Sequence, residues 1–534
     1  MARVTAWGHG LRHLYERAMG ELEAGVQMLE RRYTPLGRFS PGPFESWSFL
    51  WQPALLGLVA TGLILAGGSF TNSPFKFNST GTWFFGEPAA NPVGSPSQTK
   101  LLLSIVLVYG GLLLLMRVWL RLAEVLKIHA GAPVRRLWWM LGLWATPMIV
   151  APPLFSRDVF SYAAQGEMTS HHLSPYILGP YTLGASPYQN GVDPLWQNAP
   201  APYGPLFLFL DGSIAKLTFH NHLATVAVLR LLEVVAVGLI GWGVARLAEG
   251  LGRDPGEAFV LAAMNPLVLL TLIGGAHNDA IMTGLLVIGV ALAVRRRFVA
   301  SLVLCACAAA IKAPAAYGLA FISWTWLGPQ ARFRQRLRPI GVAVLVTLGV
   351  LGVWTLLAGF GFGWVGNLLS NGTVRSWAAP ATAVGMVVAR VIQLIGLQVS
   401  VASVLSVTRF LGFATAAGAA AWLLLRAESR GWVRSLGLAL VWLVVLGPVV
   451  QPWYFSWGLV LLAASYRGRE HFWLLALSIV GPFIGLPGGR TLLNGLVHAN
   501  PLLIAVAVAI LGGVLVLPMG RWTQWSWPED RVAA

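Results

Sequence analysis

Long apolar runs recur along this sequence between about residue 50 and about residue 520, and they constrain the fold more than any other feature. Hydrophobic residues make up 56% of the 534 residues, whereas charged residues make up 11%. A chain with so little charge cannot cover a soluble surface. A membrane span needs roughly 20 apolar residues. We find about 14 candidate spans, several of them short, near 50–68, 101–120, 137–155, 223–246, 257–274, 278–294, 298–311, 313–328, 339–359, 402–425, 433–450, 455–466, 471–487 and 500–519. The sequence therefore predicts an all-α, polytopic membrane protein.

The basic residues are unevenly placed along the chain. It contains 37 Lys and Arg against 20 Asp and Glu, an excess that nucleic-acid-binding proteins also show. Here the basic residues form short clusters between apolar runs, the pattern described by the positive-inside rule. The clusters fall within residues 117–136, 295–297, 332–338, 426–434 and 467–469. We therefore expect these segments and the amino terminus to be cytoplasmic, and no nucleic-acid partner.

Three regions follow from this topology. Residues 1–48 are expected to be a cytoplasmic tail without a cleavable signal peptide. Helical spacing over 11–32 predicts an amphipathic helix on the membrane surface, with a partly ordered tail as the alternative. Residues 49–520 would form the transmembrane domain, and 521–534 a second cytoplasmic tail. The apolar stretch 381–397 would invert every later loop if it crossed, so we expect an extracytoplasmic or re-entrant helix there.

Several residues that could carry chemistry have simpler structural explanations. Cys305 and Cys307 lie inside one apolar run, which gives neither a disulfide framework nor a metal-ligand spacing. His171 is expected to be a surface residue rather than a ligand, as is its neighbour His172. Glu233 follows Arg230 by one turn within a candidate span, so we expect the two side chains to pair.

A carboxylate at the outer end of a candidate span is the strongest candidate for chemistry. Asp158 follows the third such span, where a charge is costly unless it has a task. Few carboxylates face outward in this topology, namely Glu87, Asp158, Glu167, Asp193, Asp211 and Asp279. We predict that Asp158 is a general base. A helix amino-terminal cap is the alternative.

Other polar stretches of the predicted topology emerge on the same face. His277 and Asp279 stand in a glycine-rich break, where they could orient a head group, cap the next helix or, as the least favoured reading, bind a metal. Lys312 lies between two short apolar segments, which indicates either an anionic partner such as a lipid phosphate or snorkelling to the interface. The aromatic run 451–457 would form a stacking platform for a sugar or lipid head group, or an interfacial aromatic belt.

The outward-facing motifs form an ordered series. They are Asp158-Val159-Phe160-Ser161-Tyr162 followed by Ala163-Ala164-Gln165-Gly166, Ser174-Pro175-Tyr176, Pro202-Tyr203-Gly204-Pro205-Leu206, Gly275-Ala276-His277-Asn278-Asp279, Lys312-Ala313-Pro314 and Gln451-Pro452-Trp453-Tyr454. Each motif alone is weak, but their order is specific. Over roughly residues 50–520 the chain resembles polyprenyl-phosphate-mannose-dependent α-1,6-mannosyltransferases of the GT-C superfamily. Those enzymes build the mannan core of actinobacterial lipomannan and lipoarabinomannan.

The resemblance implies a fold, a reaction and a location. It implies a GT-C fold in the plasma membrane, with extracytoplasmic loops over a multi-helix bundle. The enzyme would move mannose, with inversion, from polyprenyl-phospho-mannose to a lipid-anchored α-1,6-mannan acceptor, without a metal or another cofactor. The family's base corresponds to Asp158, although this residue follows the third predicted span here rather than the first.

Further roles follow from the resemblance together with the residue types. The residues expected to bind the donor or its phosphate are Arg157, His277, Asp279, Lys312 and Arg375. The residues expected to line the sugar or lipid path are Tyr162, Gln165, Tyr203, Gln451, Trp453 and Tyr454. Transfer of arabinose or glucose from the same carrier is the alternative. A lipid-linked saccharide transporter is less favoured, because no internal repeat is visible and the polar motifs gather at one face.

Overall fold

The computed structural model of the chain describes residues 48–70, 73, 75, 98–128, 131–368 and 375–483. Within these ranges the chain forms helices and turns and no β-strand, so the prediction of an all-α chain is confirmed for them. The helices of eight residues or more are α1 (Ser48–Ser69), α2 (Gln98–Ile128), α3 (Val134–Val150), α4 (Asp158–Ser170), α5 (Pro205–Leu217), α6 (His222–Gly250), α7 (Pro255–Ala262), α8 (Asp279–Val294), α9 (Phe298–Ile311), α10 (Ala316–Thr325), α11 (Phe333–Ala358), α12 (Pro380–Leu394), α13 (Val401–Leu425), α14 (Trp432–Leu446), α15 (Ser456–Ala463) and α16 (Glu470–Val480). Shorter helical segments cover Pro180–Leu183, Pro187–Gly191, Pro266–Val268, Leu269–Gly274, Ala313–Ala315, Trp364–Asn367, Ala427–Arg430, Pro452–Phe455 and Gly481–Phe483.

Five helices of the described part are long and apolar enough to cross a membrane, namely α1, α2, α6, α11 and α13. A sixth span results if Pro255–Ala262 and Pro266–Gly274, which are bent by 42° at their break, count as one. Apolar helices of 10–17 residues add α8, α9, α12, α14 and the segment Glu470–Phe483. The chain is therefore a membrane protein, and the count of about 14 spans stays a prediction.

Some sequence predictions fall partly or wholly outside the described residues. The amphipathic helix over 11–32 and the last candidate span, 500–519, lie there, and the division at residues 48 and 520 stays a prediction. The stretch 381–397 is described, and it forms α12 with Arg390 exposed. Its 15 residues are fewer than the roughly 20 that a full span needs. That this helix does not cross the bilayer stays a prediction.

Helix α8 lies between α6 and α9 and is buried along most of its length. Its glycines allow this close packing. A Cβ at Gly284 would lie 3.1 Å from the carbonyl oxygen of Ala236 in α6, and one at Gly289 would lie 2.6 Å from Sγ of Cys305 in α9. Small residues at such contacts are the usual means by which membrane helices pack. In contrast, 11% of the apolar window of α11 is buried, which leaves most of this helix open to lipid.

Arg230 lies in α6 and forms hydrogen bonds with the ends of two other segments. Its guanidinium donates to the carbonyl oxygen of Ala151, just after α3, and to that of Gly274 at 3.1 Å. A cation is favourable beside carbonyl groups that a helix end leaves without partners. The prediction that Arg230 pairs with Glu233 is wrong, because neither carboxylate oxygen of Glu233 has a hydrogen-bond partner in the described part of the chain. The hydrogen bonds of Arg230 instead hold the segment before Asp158 close to the break before α8.

Candidate active site

Helix α4 places three polar side chains along the wall of a cavity. Asp158 is its first residue, Ser161 follows one turn later and Gln165 about two turns later, so all three lie on one face. The cavity encloses about 630 Å³, including its open mouth. The rest of its wall consists of Trp196, Ala199, Pro200, Pro202, Tyr203, Val449, Gln451, Trp453 and Tyr454. An aromatic wall with a few polar groups is typical of small-molecule sites.

The Tyr203-Gly204-Pro205 sequence brings a loop against the end of α9. The N–H of Gly204 donates to the carbonyl oxygen of Ile311 at 3.0 Å. A Cβ at Gly204 would lie 2.3 Å from the carbonyl oxygen of Ala310, so glycine is required for this approach. Pro205 then begins α5, because its fixed φ suits the first position of a helix. This arrangement holds Tyr203 in the cavity wall.

Asp158 is the first residue of α4, and its side chain is part of the cavity wall. Its backbone N–H donates to Oγ of Ser156 at 3.1 Å. Its side chain is 22% exposed and reaches the cavity. Burial raises the pKa of the Asp158 carboxyl above its ordinary value, while His277 and Lys312 lower it in part. When deprotonated, the carboxylate is therefore more basic than a free aspartate.

His277 lies directly behind Asp158. Its Nδ1 atom is 2.6 Å from the carbonyl oxygen of Thr271, and because a carbonyl can only accept, Nδ1 carries a proton. Nε2 therefore faces Asp158 and lies 3.6 Å from its Oδ2 atom. The ring is stacked on Trp453, with 3.6 Å between ring centroids. Burial lowers the pKa of His277, whereas the nearby Asp158 carboxylate raises it.

Lys312 and Asp279 form an ion pair beside the cavity. The ammonium nitrogen lies 2.9 and 2.8 Å from the two carboxylate oxygens of Asp279. Asp279 is fully buried and also accepts a hydrogen bond from Nε1 of Trp457 at 2.6 Å. The Lys312 ammonium lies 4.7 Å from the ring centroid of Tyr454. The anion that Lys312 meets in this structure is thus Asp279, and neither residue is part of the cavity wall.

The remaining predicted residues lie at different depths. Tyr162 is buried behind Tyr203, with 5.3 Å between ring centroids, and its hydroxyl lies 3.4 Å from Oδ1 of Asn278. Arg157 immediately precedes Asp158 and is half-buried, whereas Arg375 is exposed. Neither arginine is part of the cavity wall. Of the predicted residues, Asp158, Gln165, Tyr203, Gln451, Trp453 and Tyr454 are the ones that the structure brings together around the cavity.

The sequence did not predict the other six residues of the wall as site residues, namely Ser161, Trp196, Ala199, Pro200, Pro202 and Val449. Ser161 could have been found, because it stands three positions after Asp158 in what proves to be a helix. Trp196 lies in an irregular loop, where no periodicity points to it. A histidine and carboxylate group with metal-ligand spacing exists within the described residues, but no member of it is part of the cavity wall.

Two family models match this chain. The model described as "Alpha-(1->6)-mannopyranosyltransferase, N-terminal domain" matches residues 54–328. The model described as "MptB C-terminal domain" matches residues 381–517. The first match includes Asp158, His277 and Lys312, and the second includes Trp453. No solved structure shows significant similarity to the chain.

Relatives named as mannopyranosyltransferases are similar to this chain over most of its length. It is 35% identical over 413 residues to a Mycolicibacterium smegmatis protein named "Probable alpha-(1->6)-mannopyranosyltransferase", covering 70% of this chain and 72% of that protein. It is 30% identical over 467 residues to alpha-(1->6)-mannopyranosyltransferase A of Mycobacterium tuberculosis, covering 84% and 85%. It is 30% identical over 540 residues to alpha-(1->6)-mannopyranosyltransferase B of Corynebacterium glutamicum, covering 94% and 86%.

Proposed function

Because the chain belongs to the family of alpha-(1->6)-mannopyranosyltransferases, we propose that it transfers mannose from polyprenyl-phospho-mannose to an α-1,6-mannan acceptor. As a mannosyltransferase, the enzyme needs an activated mannose and an acceptor hydroxyl. A polyprenyl carrier suits an enzyme embedded among apolar helices. The acceptor would be the lipid-anchored backbone of lipomannan and lipoarabinomannan. The reaction would take place on the extracytoplasmic face of the plasma membrane, in a GT-C fold.

The observation that carries this proposal is the position of Asp158. Its carboxylate reaches a cavity whose wall also contains the side chains of Trp453 and Tyr454. Aromatic faces bind the apolar faces of sugars, and a single carboxylate beside them can receive a proton from a sugar hydroxyl. Within the cavity wall Asp158 is the only carboxylate among the described residues. It is therefore the residue to which we assign the role of general base.

The reaction can be written with this one base. The acceptor oxygen attacks the anomeric carbon from the side opposite the polyprenyl phosphate, and the bond from that carbon to the phosphate oxygen breaks. The acceptor proton passes to Asp158, and the phosphate departs with the bonding electrons. Attack from the opposite side converts a β-linked donor into an α-linked product. General-base assistance of this kind contributes about 10²- to 10⁴-fold to the rate.

We propose that His277 assists Asp158 from behind. Nε2 of a neutral imidazole is a hydrogen-bond acceptor, and so is an ionised carboxylate. Asp158 and His277 therefore attract each other only when a proton lies on Nε2 or on the carboxyl group of Asp158. After Asp158 has received the acceptor proton, Nε2 can take a share of it. Thr271 keeps Nδ1 protonated throughout, which holds the ring in the required orientation. Stacking on Trp453 fixes the ring plane.

The departing phosphate needs a cation beside it. The three predicted cations, Lys312, Arg157 and Arg375, have different surroundings in the structure. Asp279 already neutralises Lys312, so we propose that this pair fixes the break before α8 to the end of α9. Arg157 is next to the base in sequence, and we propose it as the main cation for the phosphate. Arg157 and Arg375 both lie outside the cavity wall, so either side chain would have to move to approach the phosphate.

The proposed reaction can be tested in membranes that contain the wild-type chain or Asp158→Asn. Radiolabelled polyprenyl-phospho-mannose and a short α-1,6-mannoside acceptor are supplied, and chain extension is followed. We expect extension by the wild type and a loss of about 10²-fold or more in an equally abundant Asp158→Asn variant. Asp193→Asn is the matched control, because Asp193 lies at a surface turn, where it accepts from the N–H of Leu195 at 2.9 Å.

Three other results would each contradict one part of the proposal. Full activity of Asp158→Asn would remove this residue from the mechanism. Activity of the wild type with an arabinose or glucose donor, and none with mannose, would overturn the assigned donor sugar. Extension of a mannoside in vesicles only when the donor is added on the cytoplasmic side would overturn the proposed location.

A further inference from the structure

Three potential metal ligands meet at the end of α4 that is far from Asp158. Oε1 of Glu167 lies 3.0 Å from Nε2 of His171, and Oε2 of Glu167 lies 2.9 Å from Nδ1 of His220. One ligating atom from each residue can be chosen so that all three lie within 4.8 Å of one another. Because Glu167 follows Asp158 by nine positions, the group is about 14 Å along the helix from the proposed base.

The group combines a shielded carboxylate with accessible imidazoles. The side chain of Glu167 is 10% exposed, whereas those of His171 and His220 are 56% and 44% exposed. The two imidazole rings are stacked, with 5.2 Å between their centroids. A cation from solution can therefore reach the two ring nitrogens and meet the carboxylate beneath them. The cation can therefore enter without a larger opening of the fold.

We propose that Glu167, His171 and His220 bind one divalent transition-metal ion, with zinc as the best match. Two imidazole nitrogens and one carboxylate oxygen are a zinc-type ligand set, and a water molecule can complete the tetrahedron. Magnesium and calcium prefer oxygen ligands and are disfavoured here. Zinc bonds of about 2.0–2.2 Å place tetrahedral ligands about 3.3 Å apart. The contacts of Glu167 with His171 and His220, at 3.0 and 2.9 Å, are close to that spacing, and the three ligating atoms lie within 4.8 Å of one another.

The ion would connect segments that are distant in sequence. Glu167 and His171 belong to the end of α4, while His220 lies in the turn between α5 and α6. The ring protons that now point to Glu167 would leave, because metal ligation requires an unprotonated ring nitrogen. The bound ion would thus replace two hydrogen bonds by three coordinate bonds. It would stabilise the contact of α4 with the start of α6, independently of which sugar the enzyme transfers.

The site can be tested with the full chain in detergent, purified through a tag without histidine and freed of metal with a chelator. Cobalt(II) is titrated and followed by its visible absorption, and zinc is then added to displace it. The variants are His171→Ala, His220→Asn and Glu167→Gln. His172→Asn is the matched control, because His172 and His220 share a φ of 58° and asparagine tolerates this conformation.

We expect one tetrahedral cobalt site per chain in the wild type and in His172→Asn, with displacement by zinc. Affinity should fall by about 10- to 100-fold or more in the three site variants, because even changes around the ligands of a metal cost that much. Zinc should raise the unfolding temperature of the wild type and of His172→Asn but not of His171→Ala. Since His171 is exposed, its alanine variant should unfold at the wild-type temperature without metal. Unchanged affinity in both His171→Ala and His220→Asn, or no cobalt site in the wild type, would overturn the proposal.

Discussion

The Nε2 atom of His277 lies 3.6 Å from Oδ2 of Asp158, while Nδ1 of the same ring donates to the carbonyl oxygen of Thr271. Nδ1 keeps its proton in both charge states of the ring, so only Nε2 can titrate. The pair therefore behaves as one unit with a shared proton, and its two titrations are coupled. This relationship gives the proposed base a pH dependence that a lone aspartate would lack.

The first prediction concerns the pH dependence of kcat/KM. Burial raises the pKa of Asp158, so the activity should fall on acidification at a higher pH than the ordinary value of a carboxyl group predicts. His277→Asn keeps a donor for Thr271 but removes the charge that lowers the pKa of Asp158. The pKa should rise further, and the acidic limb should move to higher pH. The maximal rate should also fall by about 10- to 100-fold.

This prediction is checked by measuring mannosyl transfer between pH 4 and pH 9 in wild type, His277→Asn and the control His172→Asn. The control should follow the wild-type curve, because His172 is exposed and distant from the cavity wall. An acidic limb that stays in place in His277→Asn would show that the ring does not communicate with Asp158.

The second prediction distinguishes two roles of Lys312. In one it holds the break before α8 to the end of α9, and in the other it binds the donor phosphate. Lys312→Met leaves the buried Asp279 carboxylate without its cation, which should cost about 3–5 kcal/mol of stability. The double variant Lys312→Met with Asp279→Asn removes both charges and should recover much of that loss. Thermal unfolding in detergent measures this recovery. If Lys312 instead binds the donor phosphate, the recovered double variant will still have a strongly raised KM for the donor.

The third prediction concerns two buried polar atoms of the cavity wall. Oγ of Ser161 and Oε1 of Gln165 have no hydrogen-bond partner within the described part of the chain. Both residues are part of the cavity wall, one and two turns after Asp158, so we expect them to bind sugar hydroxyls. Gln165→Leu should raise KM or lower kcat/KM by about 10-fold, since a hydrogen bond of this kind is worth about 1–3 kcal/mol.

The measurement compares mannosyl and glucosyl donors in wild type, Ser161→Ala and Gln165→Leu. Discrimination between the donors should narrow in at least one variant, because the two sugars differ in the placement of a hydroxyl. Ser213→Ala is the control, since Ser213 bonds within its own helix to Phe209 at 2.7 Å. Equal losses for Ser213→Ala and the wall variants would indicate a general loss of folding.

The sequence predicted helices well wherever a long apolar run decided the structure. The candidate span at 223–246 corresponds to α6, and the one at 298–311 coincides with α9. Burial of apolar side chains alone determines such segments, so composition is sufficient. The break at Lys312 was also predicted, because Pro314 cannot continue a helix.

The partners within the site could not be predicted in the same way. The sequence spacing of Asp279 and Lys312 does not show that they form an ion pair. They are 33 positions apart, and the chain passes through α8 and returns through α9 between them. The residues after Asp158 are compatible with a helix, but they are polar and small and give no strong periodicity, so the sequence did not show which of them share a face. The positions of Ser161 and Gln165 on the face of Asp158 depend on that helix. Tertiary packing, rather than local pattern, therefore decides which residues meet.

The last prediction concerns the side of the membrane on which the cavity opens. Segments that the charge pattern places in the cytoplasm contact one another in the structure. Arg336 pairs with Glu428 at 3.0 Å, and Arg253 donates to the carbonyl oxygen of Tyr466 at 3.1 Å. None of these four residues is part of the cavity wall. We therefore expect the basic end of the bundle to be cytoplasmic and the cavity to open on the other side.

Single cysteines can test this orientation in intact cells, after Cys305 and Cys307 have been replaced by alanine. Leu195→Cys lies beside the cavity residue Trp196, and Arg334→Cys lies in the first turn of α11; both positions are exposed. A membrane-impermeant maleimide should label Leu195→Cys in intact cells and Arg334→Cys only after permeabilisation. The opposite pattern would place the cavity in the cytoplasm, and a donor in the outer leaflet could then not reach Asp158.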